Sequence, residues 1–338
     1  AACITVYYQN VRGLRSKADE FRLSVLETEY DVLVLTETWL DPCIPTALLL
    51  GDEYRVYRCD RDATNSSHSR GGGVLIACNV SLLSYVLPTL PQLLELTCVC
   101  IQLCDHRLFI AAAYLPPNQS MNEEKISALI DFVANISTTL GPRDRFMLIG
   151  DFNQSTLSWT SASEENGAAF DFYEPHARST RSVQFVDGLH QSGLYQLNSN
   201  TNSSGRILDL IYANWPAAST CSTIRVCEYP LTTIDEHHPP LDFDLDNVAP
   251  VTIATAIDAD KRLNYAQMCK LFALRFKDNF ASQTTGPEDV ADALSNTPVG
   301  ALLPMLPVIT VDTIISAIKR VKSSYTPGPD GIPAVILK

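Results

Sequence analysis

Positive charge is what this chain is shortest of. It carries 25 Lys and Arg against 38 Asp and Glu, a net charge of −13, and the imbalance is unevenly placed. Up to Leu245 there are 16 basic and 29 acidic residues, a difference of −13, whereas the remainder has 9 of each. This excludes a broad cationic face, because sequence-independent affinity for a polyanion comes from Lys and Arg neutralising phosphates. Contact with any polyanion is expected to be weak and salt-sensitive, helped by a cation and by a few arginines: Arg12, Arg15, Arg70, Arg178 and Arg181. A site for small anionic molecules tolerates the same acidity, so charge does not choose between the two.

Long apolar runs are missing as well. No stretch approaches the roughly 20 residues needed to cross a bilayer, and the first residues lack a basic segment followed by an apolar core and a cleavage site. The expectation is an intracellular protein, neither secreted nor membrane-bound. Ten cysteines and six Asn-x-Ser sequons, at Asn65, Asn79, Asn118, Asn135, Asn153 and Asn202, would suit a secreted chain. Without a leader, and with most cysteines interrupting apolar strands, they read instead as core thiols. Cys98 and Cys100 fall on one strand face by alternation and, with Cys104, make only a faint zinc pattern. Internal repeats and low-complexity tracts are absent, and a 46% hydrophobic composition suits one large domain with an appendage.

What the chain does have is a recurring strand-end pattern. Phe146-Met147-Leu148-Ile149 is an apolar run that ends in Gly150-Asp151-Phe152-Asn153, where a glycine would let the backbone turn and project a carboxylate and an amide together. Alone, the tetrapeptide is equally an Asp-x-Asn turn. Four other segments share its grammar. Residues 3–8 lead to Gln9-Asn10, residues 31–35 to Thr36-Glu37-Thr38-Trp39, and residues 108–113 to Tyr114-Leu115-Pro116-Pro117. In the fourth, residues 207–212, an apolar strand carries Asp209 inside it, which is costly unless the charge is paired or working. The series closes on Asp235-Glu236-His237-His238-Pro239-Pro240, the only adjacent histidine pair. Singly, Asn10 or Tyr114 reads first as a strand-end hydrogen bonder.

Taken in order, Asn10, Glu37, Tyr114, Asp151 with Asn153, Asp209 and the His237/His238 pair resemble the motif series of the endonuclease/exonuclease/phosphatase superfamily. That superfamily includes deoxyribonuclease I, abasic-site endonucleases and the endonuclease domains of non-LTR retrotransposons. Asn10-Val11-Arg12-Gly13-Leu14, Glu37-Thr38-Trp39-Leu40 and Arg70-Gly71-Gly72-Gly73-Val74 look most like the retrotransposon branch. Near the end, Tyr325-Thr326-Pro327-Gly328-Pro329-Asp330-Gly331-Ile332-Pro333 is similar to the loop that opens a LINE-type reverse transcriptase. It follows a basic amphipathic stretch over residues 311–322, and elsewhere the same string would be a tight turn. The resemblance implies an α/β (α+β) fold, a four-layer α/β/β/α sandwich of the deoxyribonuclease I type, followed by a mostly helical tail. The expected division is 1–246 for the nuclease-like domain, 247–310 for a linker with short helices, and 311–338 for the start of a polymerase whose body lies beyond Lys338.

The local pattern predicts helices over 16–30, from a capping box at Ser120 and Glu123 through 136, and over 183–189. Strands are predicted over 53–59, 74–78, 95–103, 107–114, 224–228 and 241–245, with 95–103 and 107–114 paired across Asp105-His106. The Ser/Thr/Asn-rich stretches 60–69, 155–167 and 198–205 are expected as exposed loops facing substrate. The three glycines 71–73 lack a following helix or lysine, so close strand packing is preferred over a phosphate loop.

Phosphodiester cleavage needs charge neutralisation at phosphorus, an activated water and help for the departing oxygen. Glu37, supported by Asn10 and by Asp235, is the expected ligand set for Mg²⁺, with Mn²⁺ as a substitute. Asp151 is expected to orient or deprotonate water, Asn153 to bond a phosphate oxygen or that water, Tyr114 to donate to the phosphate, and Asp209 to fix a histidine tautomer. The superfamily's usual ending, Ser-Asp-His, one residue, then Pro, fits here in two registers. Spacing to Pro240 selects His238, which is preferred; an acid directly before the histidine selects His237 after Glu236. Arg12 and Arg70 are expected to meet the substrate.

The implied function is a Mg²⁺-dependent endonuclease that nicks double-stranded DNA in the nucleus to prime reverse transcription, the element's RNA being bound through the downstream polymerase. Two rivals stay open: another phosphoesterase of the superfamily, such as an abasic-site nuclease or a lipid or inositol phosphatase, and a catalytically inactive interaction domain.

Overall fold

Alternation with period two decides which way each strand faces. The computed structural model describes residues 3–251 except 69, 118–121, 162–172, 178, 216–222 and 247. In β1 (Cys3–Asn10), Ile4, Val6 and Tyr8 enter one apolar cluster while Tyr7 enters another. In β2 (Val32–Thr36), Val32 and Val34 face the first cluster and Leu33 and Leu35 the second. Strands buried on both faces in this way need a covering layer on each side.

The first sheet has the order β13 (Arg225–Val226), β14 (Leu241–Asp246), β1, β2, β4 (Val74–Asn79) and β3 (Tyr54–Cys59). The second runs β11 (Tyr195–Gln196), β12 (Asp209–Ala213), β8 (Arg145–Asp151), β7 (Arg107–Tyr114), β6 (Glu95–Gln102) and β5 (Ser84–Val86). Between the sheets lie Val6, Tyr8, Val34 and Ile76 from the first and Ile110, Met147, Ile149 and Ile211 from the second. Phe21 and Val25 of α1 (Ala18–Leu26) cover the outer face of the first sheet. Ile126, Leu129 and Val133 of α2 (Asn122–Thr139), with Phe185 and Leu189 of α3 (Thr180–Gln191), cover the second. The result is the four-layer α/β/β/α sandwich of the deoxyribonuclease I type.

Each sheet contains one parallel pair joined through a helix, β1–α1–β2 and β7–α2–β8, and its other neighbours are antiparallel. The carboxyl ends of the parallel strands carry Asn10, Thr36, Tyr114 and Asp151. Because β12 runs against β8 and β14 against β1, the starts of these two strands come to the same edges. The polar termini are thereby gathered at one end of the sandwich, where ligands of α/β folds usually sit.

Several expectations change. The helix expected over 16–30 is a 3₁₀ turn, Arg15–Lys17, followed by α1, which stops when the Thr28 hydroxyl takes the Val25 carbonyl. Asp209 is the first residue of β12, at the strand's start and not in its middle. The strand at 224–228 shrinks to Arg225–Val226. Within 155–167, expected as loop, Leu157–Ser161 forms β9 and pairs with β10 (Tyr173–Ala177); Leu157 and Trp159 pack on the core and Ser158 between them is polar. Gly150 does not turn the chain: it stays in β8, where an added Cβ would lie 1.9 Å from the Ala113 carbonyl oxygen. Ser120 of the capping box, and the tail expectations beyond 251, fall outside the described residues. No helix among those residues is long and apolar enough to cross a membrane.

Gly150→Ala is expected to destabilise the fold by about 3 kcal/mol, since backbone on the neighbouring strand has to move. Gly193→Ala, with φ of 78° after α3 and open space around it, should cost about 1 kcal/mol. Thermal denaturation of the two variants measures the contrast.

Candidate active site

Strand register sets the first three groups side by side. Tyr114 of β7 pairs with Asp151 of β8, and Asp151 with Asp209 of β12, so three polar residues form one row across the second sheet. Both carboxylates are buried. The Asn10 amide, at the end of β1 in the other sheet, donates to Asp151 Oδ2 at 3.0 Å, and the Asn153 backbone N–H donates to Asp151 Oδ1 at 3.1 Å. Burial first, and then the charge of Asp209, hold the Asp151 carboxyl well above its usual range.

Asp209 is bonded through both carboxylate oxygens and its backbone carbonyl. Its Oδ1 accepts the Tyr8 hydroxyl at 2.6 Å and its Oδ2 meets His238 Nδ1 at 2.9 Å, while its backbone carbonyl accepts the Asn198 amide at 2.8 Å. The Tyr8 oxygen in turn contacts Thr36 Oγ1 at 3.0 Å. This leaves His238 Nε2 pointing along the row, 3.9 Å from Asp151 Oδ2, beyond hydrogen-bonding distance. Burial pulls the imidazole down, but the bond to Asp209 and the charges of Asp209, Asp151 and Asp235 outweigh it and hold the His238 pKa at about 9. The neighbouring His237 lies in solvent beside Glu236. Of the two histidine registers, the structure brings only His238 to the carboxylates.

Glu37 stands just past β2 with its two oxygens held separately: Oε1 accepts the Tyr114 hydroxyl at 2.7 Å and Oε2 accepts the Trp39 indole N–H at 2.9 Å. Burial, followed by the charge on Glu37, pushes the Tyr114 phenol far up, so it remains a donor. The backbone here is unusual. Among the described residues the non-glycines in the left-handed region are Arg12, Glu37, Trp39 and Asn153, with φ of 42, 52, 53 and 50°, and all four flank this cleft. Such conformations persist only where surroundings over-determine them. Gly72 and Gly73 accept the Trp39 and Thr38 N–H groups, and their own left-handed φ of 66 and 83° admits no Cβ beside Glu95, Arg61 and Thr38. Glu95, fully buried, accepts the Gly73 N–H and pairs with Arg61 at 2.8 Å; the Arg61 guanidinium also lies 5.7 Å from the Tyr114 ring centroid.

Not every expected group is free for the task expected of it. Asp235 forms an ion pair with Arg12 and accepts the His237 N–H, while its charge is felt at the His238 imidazole. Arg12 is thereby engaged, although its side chain is half exposed. Asn10 Oδ1 accepts the Arg12 N–H, and Asn153 Nδ2 donates to the Leu115 carbonyl. Arg70 is exposed at the start of the glycine run. Tyr8, Trp39, Arg61 and Glu95 were missed; Tyr8 had a legible signal, since an inward tyrosine in a buried strand needs a hydroxyl partner.

The donor set suits a hard divalent cation. One ligand atom from each of Asp151, Asp209 and His238 falls within 4.8 Å of the others, and Glu37 and the Asn10 amide border the same acid-rich space. Closely placed buried carboxylates call for positive compensation, and oxygen donors favour Mg²⁺ or Mn²⁺ over soft metals.

Residues 8–227 match the sequence profile described as the endonuclease/exonuclease/phosphatase family. No curated protein sequence matches the chain. Among solved structures, the endonuclease domain of TRAS1, a telomere-specific non-LTR retrotransposon, superposes with a TM-score of 0.50 at 15% identity, covering 72% of this chain and 99% of that one. The AP endonuclease LMAP from Leishmania major gives 0.51 at 14% identity, covering 72% and 88%. At such identities these likenesses support the fold.

A proton held more tightly by folded His238 than by an unfolded histidine stabilises the fold fully below pH 6.5, and that contribution is lost as pH rises through about 9. In chelator, the melting temperature of the wild type should fall across this window. His238→Gln should remove that part of the fall; an identical slope in the variant would contradict the assignment.

Proposed function

This chain belongs to the endonuclease/exonuclease/phosphatase family, and we propose that it is the Mg²⁺-dependent DNA endonuclease of a non-LTR retrotransposon. It nicks one strand of a duplex target in the nucleus, and the released 3′ hydroxyl primes reverse transcription of the element's RNA. The observation that carries the reading is the buried row from Asp151 to His238 and Asp209, facing Glu37 and Asn10 across the two sheets. The polymerase-like motif at 325–333 supports the retrotransposon branch, with the element's RNA expected on the polymerase that this motif would open.

Glu37, Asp151 and Asn10 would hold the cation, which supplies charge neutralisation for the phosphoryl oxygens and the departing 3′ oxygen. The other roles follow from the protein's own groups. With its pKa at about 9, His238 is cationic at neutral pH, so both ring nitrogens donate: Nδ1–H to Asp209 and Nε2–H into the gap before Asp151. It is a stabiliser of negative charge at a phosphoryl oxygen, not a base. Asp151, oriented by the Asn10 amide and the Asn153 N–H, is the group placed to orient or deprotonate the attacking water. Tyr114 reaches the phosphate by turning its hydroxyl from Glu37, and Asn153 offers the amide capacity left after Leu115. The relay bound to Asp209 is complete in this chain despite the altered residues around the histidine, which favours an active enzyme over an interaction domain.

Supercoiled plasmid with Mg²⁺ tests this reading. The wild type is expected to nick; Glu37→Ala, Asp151→Ala and His238→Ala should each lose at least about a hundredfold in rate, with His237→Ala close to wild type. Melting temperatures of the Glu37 and Asp151 variants should change little. Equal nicking by all of these proteins would remove the assignment, and cleavage confined to a duplex bearing an abasic site would favour a repair-type nuclease.

A further inference from the structure

Trp39 is held more firmly than an exposed residue needs. The residue is 45% exposed, a large apolar group at the rim, yet its backbone, ring and indole N–H all have close partners. The backbone sits at φ of 53°, costly for an aromatic residue, and its N–H is bonded to the Gly72 carbonyl at 2.9 Å. The ring presses on Gly13, where an added Cβ would meet Cε3 at 2.7 Å, and passes within 3.7 Å of the Cβ position of Gly71. Both glycines are themselves left-handed, at 93 and 85°. The backbone on either side is shaped to admit this ring, and the outcome of the fit is one contact, indole Nε1 to Glu37 Oε2.

We infer that Trp39 is the positioning residue for Glu37: its indole N–H, opposing the Tyr114 hydroxyl on the other oxygen, fixes the rotation of the carboxylate and presents its remaining lone pairs to the cleft. This deepens the nuclease reading and rests on it, because Glu37 is there assigned to the cation. The need is physical. Glu37 has three side-chain torsions; its backbone is held, at φ of 52°, by the Gly13 N–H on its carbonyl at 2.8 Å, but that bond does not orient the carboxylate. A ligand carboxylate that must be ordered at the moment of binding loses affinity, and neighbours that orient such ligands are worth roughly 10–100-fold in metal affinity or activity. Tyr114 fixes only one oxygen, and only until its hydroxyl turns to the phosphate, so the indole is the contact that keeps the carboxylate oriented throughout. An indole suits the second position because its N–H cannot accept and therefore cannot compete for the cation.

Two variants separate positioning from structure. Trp39→Phe keeps the ring between the glycines and removes the N–H; Trp39→His shortens the ring and restores a donor. Calorimetric titration with Mn²⁺ and plasmid nicking under saturating metal are read together with melting temperature. The expected result for Trp39→Phe is a Kd for Mn²⁺ raised about tenfold and a kcat lowered about tenfold, with KM for plasmid and melting temperature unchanged, and partial recovery of both in Trp39→His. A Trp39→Phe protein matching wild type in Kd and kcat overturns the inference. So does one in which KM alone rises, since the ring would then act on DNA directly, or one in which melting temperature falls in step with Kd and kcat in both variants. A wild type that neither binds Mn²⁺ nor nicks overturns the nuclease reading, and this inference with it.

Discussion

The Asp209 carboxylate is the contact on which the site depends. It is buried at the start of β12, and each oxygen has one strong partner from a different part of the chain: Tyr8 from the centre of the first sheet and His238 from the loop before β14. A buried carboxylate left unpaired would cost several kcal/mol, so the pairing holds both partners in place. Through Tyr8 the second sheet is tied to the first at the level of the site. Through His238 a loop containing two adjacent histidines is fixed in one register, because only one of the two rings can satisfy Oδ2. The other ring has no such partner and lies in solvent.

A second constraint is electrostatic. Asp151, Asp209, Asp235 and Glu37 share a small space in a domain that is already acidic, and the cations set against them are few: His238 at the row and Arg12 on Asp235. A further pair, Arg61 and Glu95, lies behind Tyr114 and anchors the glycine run that supports Glu37. Like charges at this density raise the affinity of Asp151 for a proton and of the cleft for a divalent cation. The four left-handed non-glycine residues around the cleft show the corresponding steric cost, which the packed sandwich sustains. Scarcity of Lys and Arg elsewhere then makes cation-mediated contact with a phosphate, in place of a broad basic face, the natural mode of engagement.

Much of the fold was legible because apolar strands ending in a polar residue recur at the carboxyl ends of β1, β2, β7 and β8, and two βαβ units put those ends on common edges. The same pattern brought Asn10, Glu37, Tyr114, Asp151 and Asp209 to notice. Other parts were hidden for identifiable reasons. β9 is written in Ser and Thr, so composition suggested a loop while alternation around Leu157 and Trp159 made a strand. Gly150 looked like a turn because its real requirement, contact with Ala113 on the adjacent strand, exists only after pairing. The pairings of Tyr8 with Asp209 and Arg61 with Glu95 span 201 and 34 residues, and nothing local in the chain announces either. Asp235 was placed near the ring by its position, yet a residue as distant as Arg12 takes its charge.

The central claim is that side chains from both sheets converge on one cation beside an Asp209-bound imidazole. An anomalous difference map from a crystal grown with Mn²⁺ tests it most directly. The account predicts one peak in contact with Glu37 and Asp151, with His238 Nδ1 still on Asp209 and Nε2 turned toward the cleft. A peak remote from both carboxylates, or a His238 ring swung out to solvent while His237 takes its place, would contradict it.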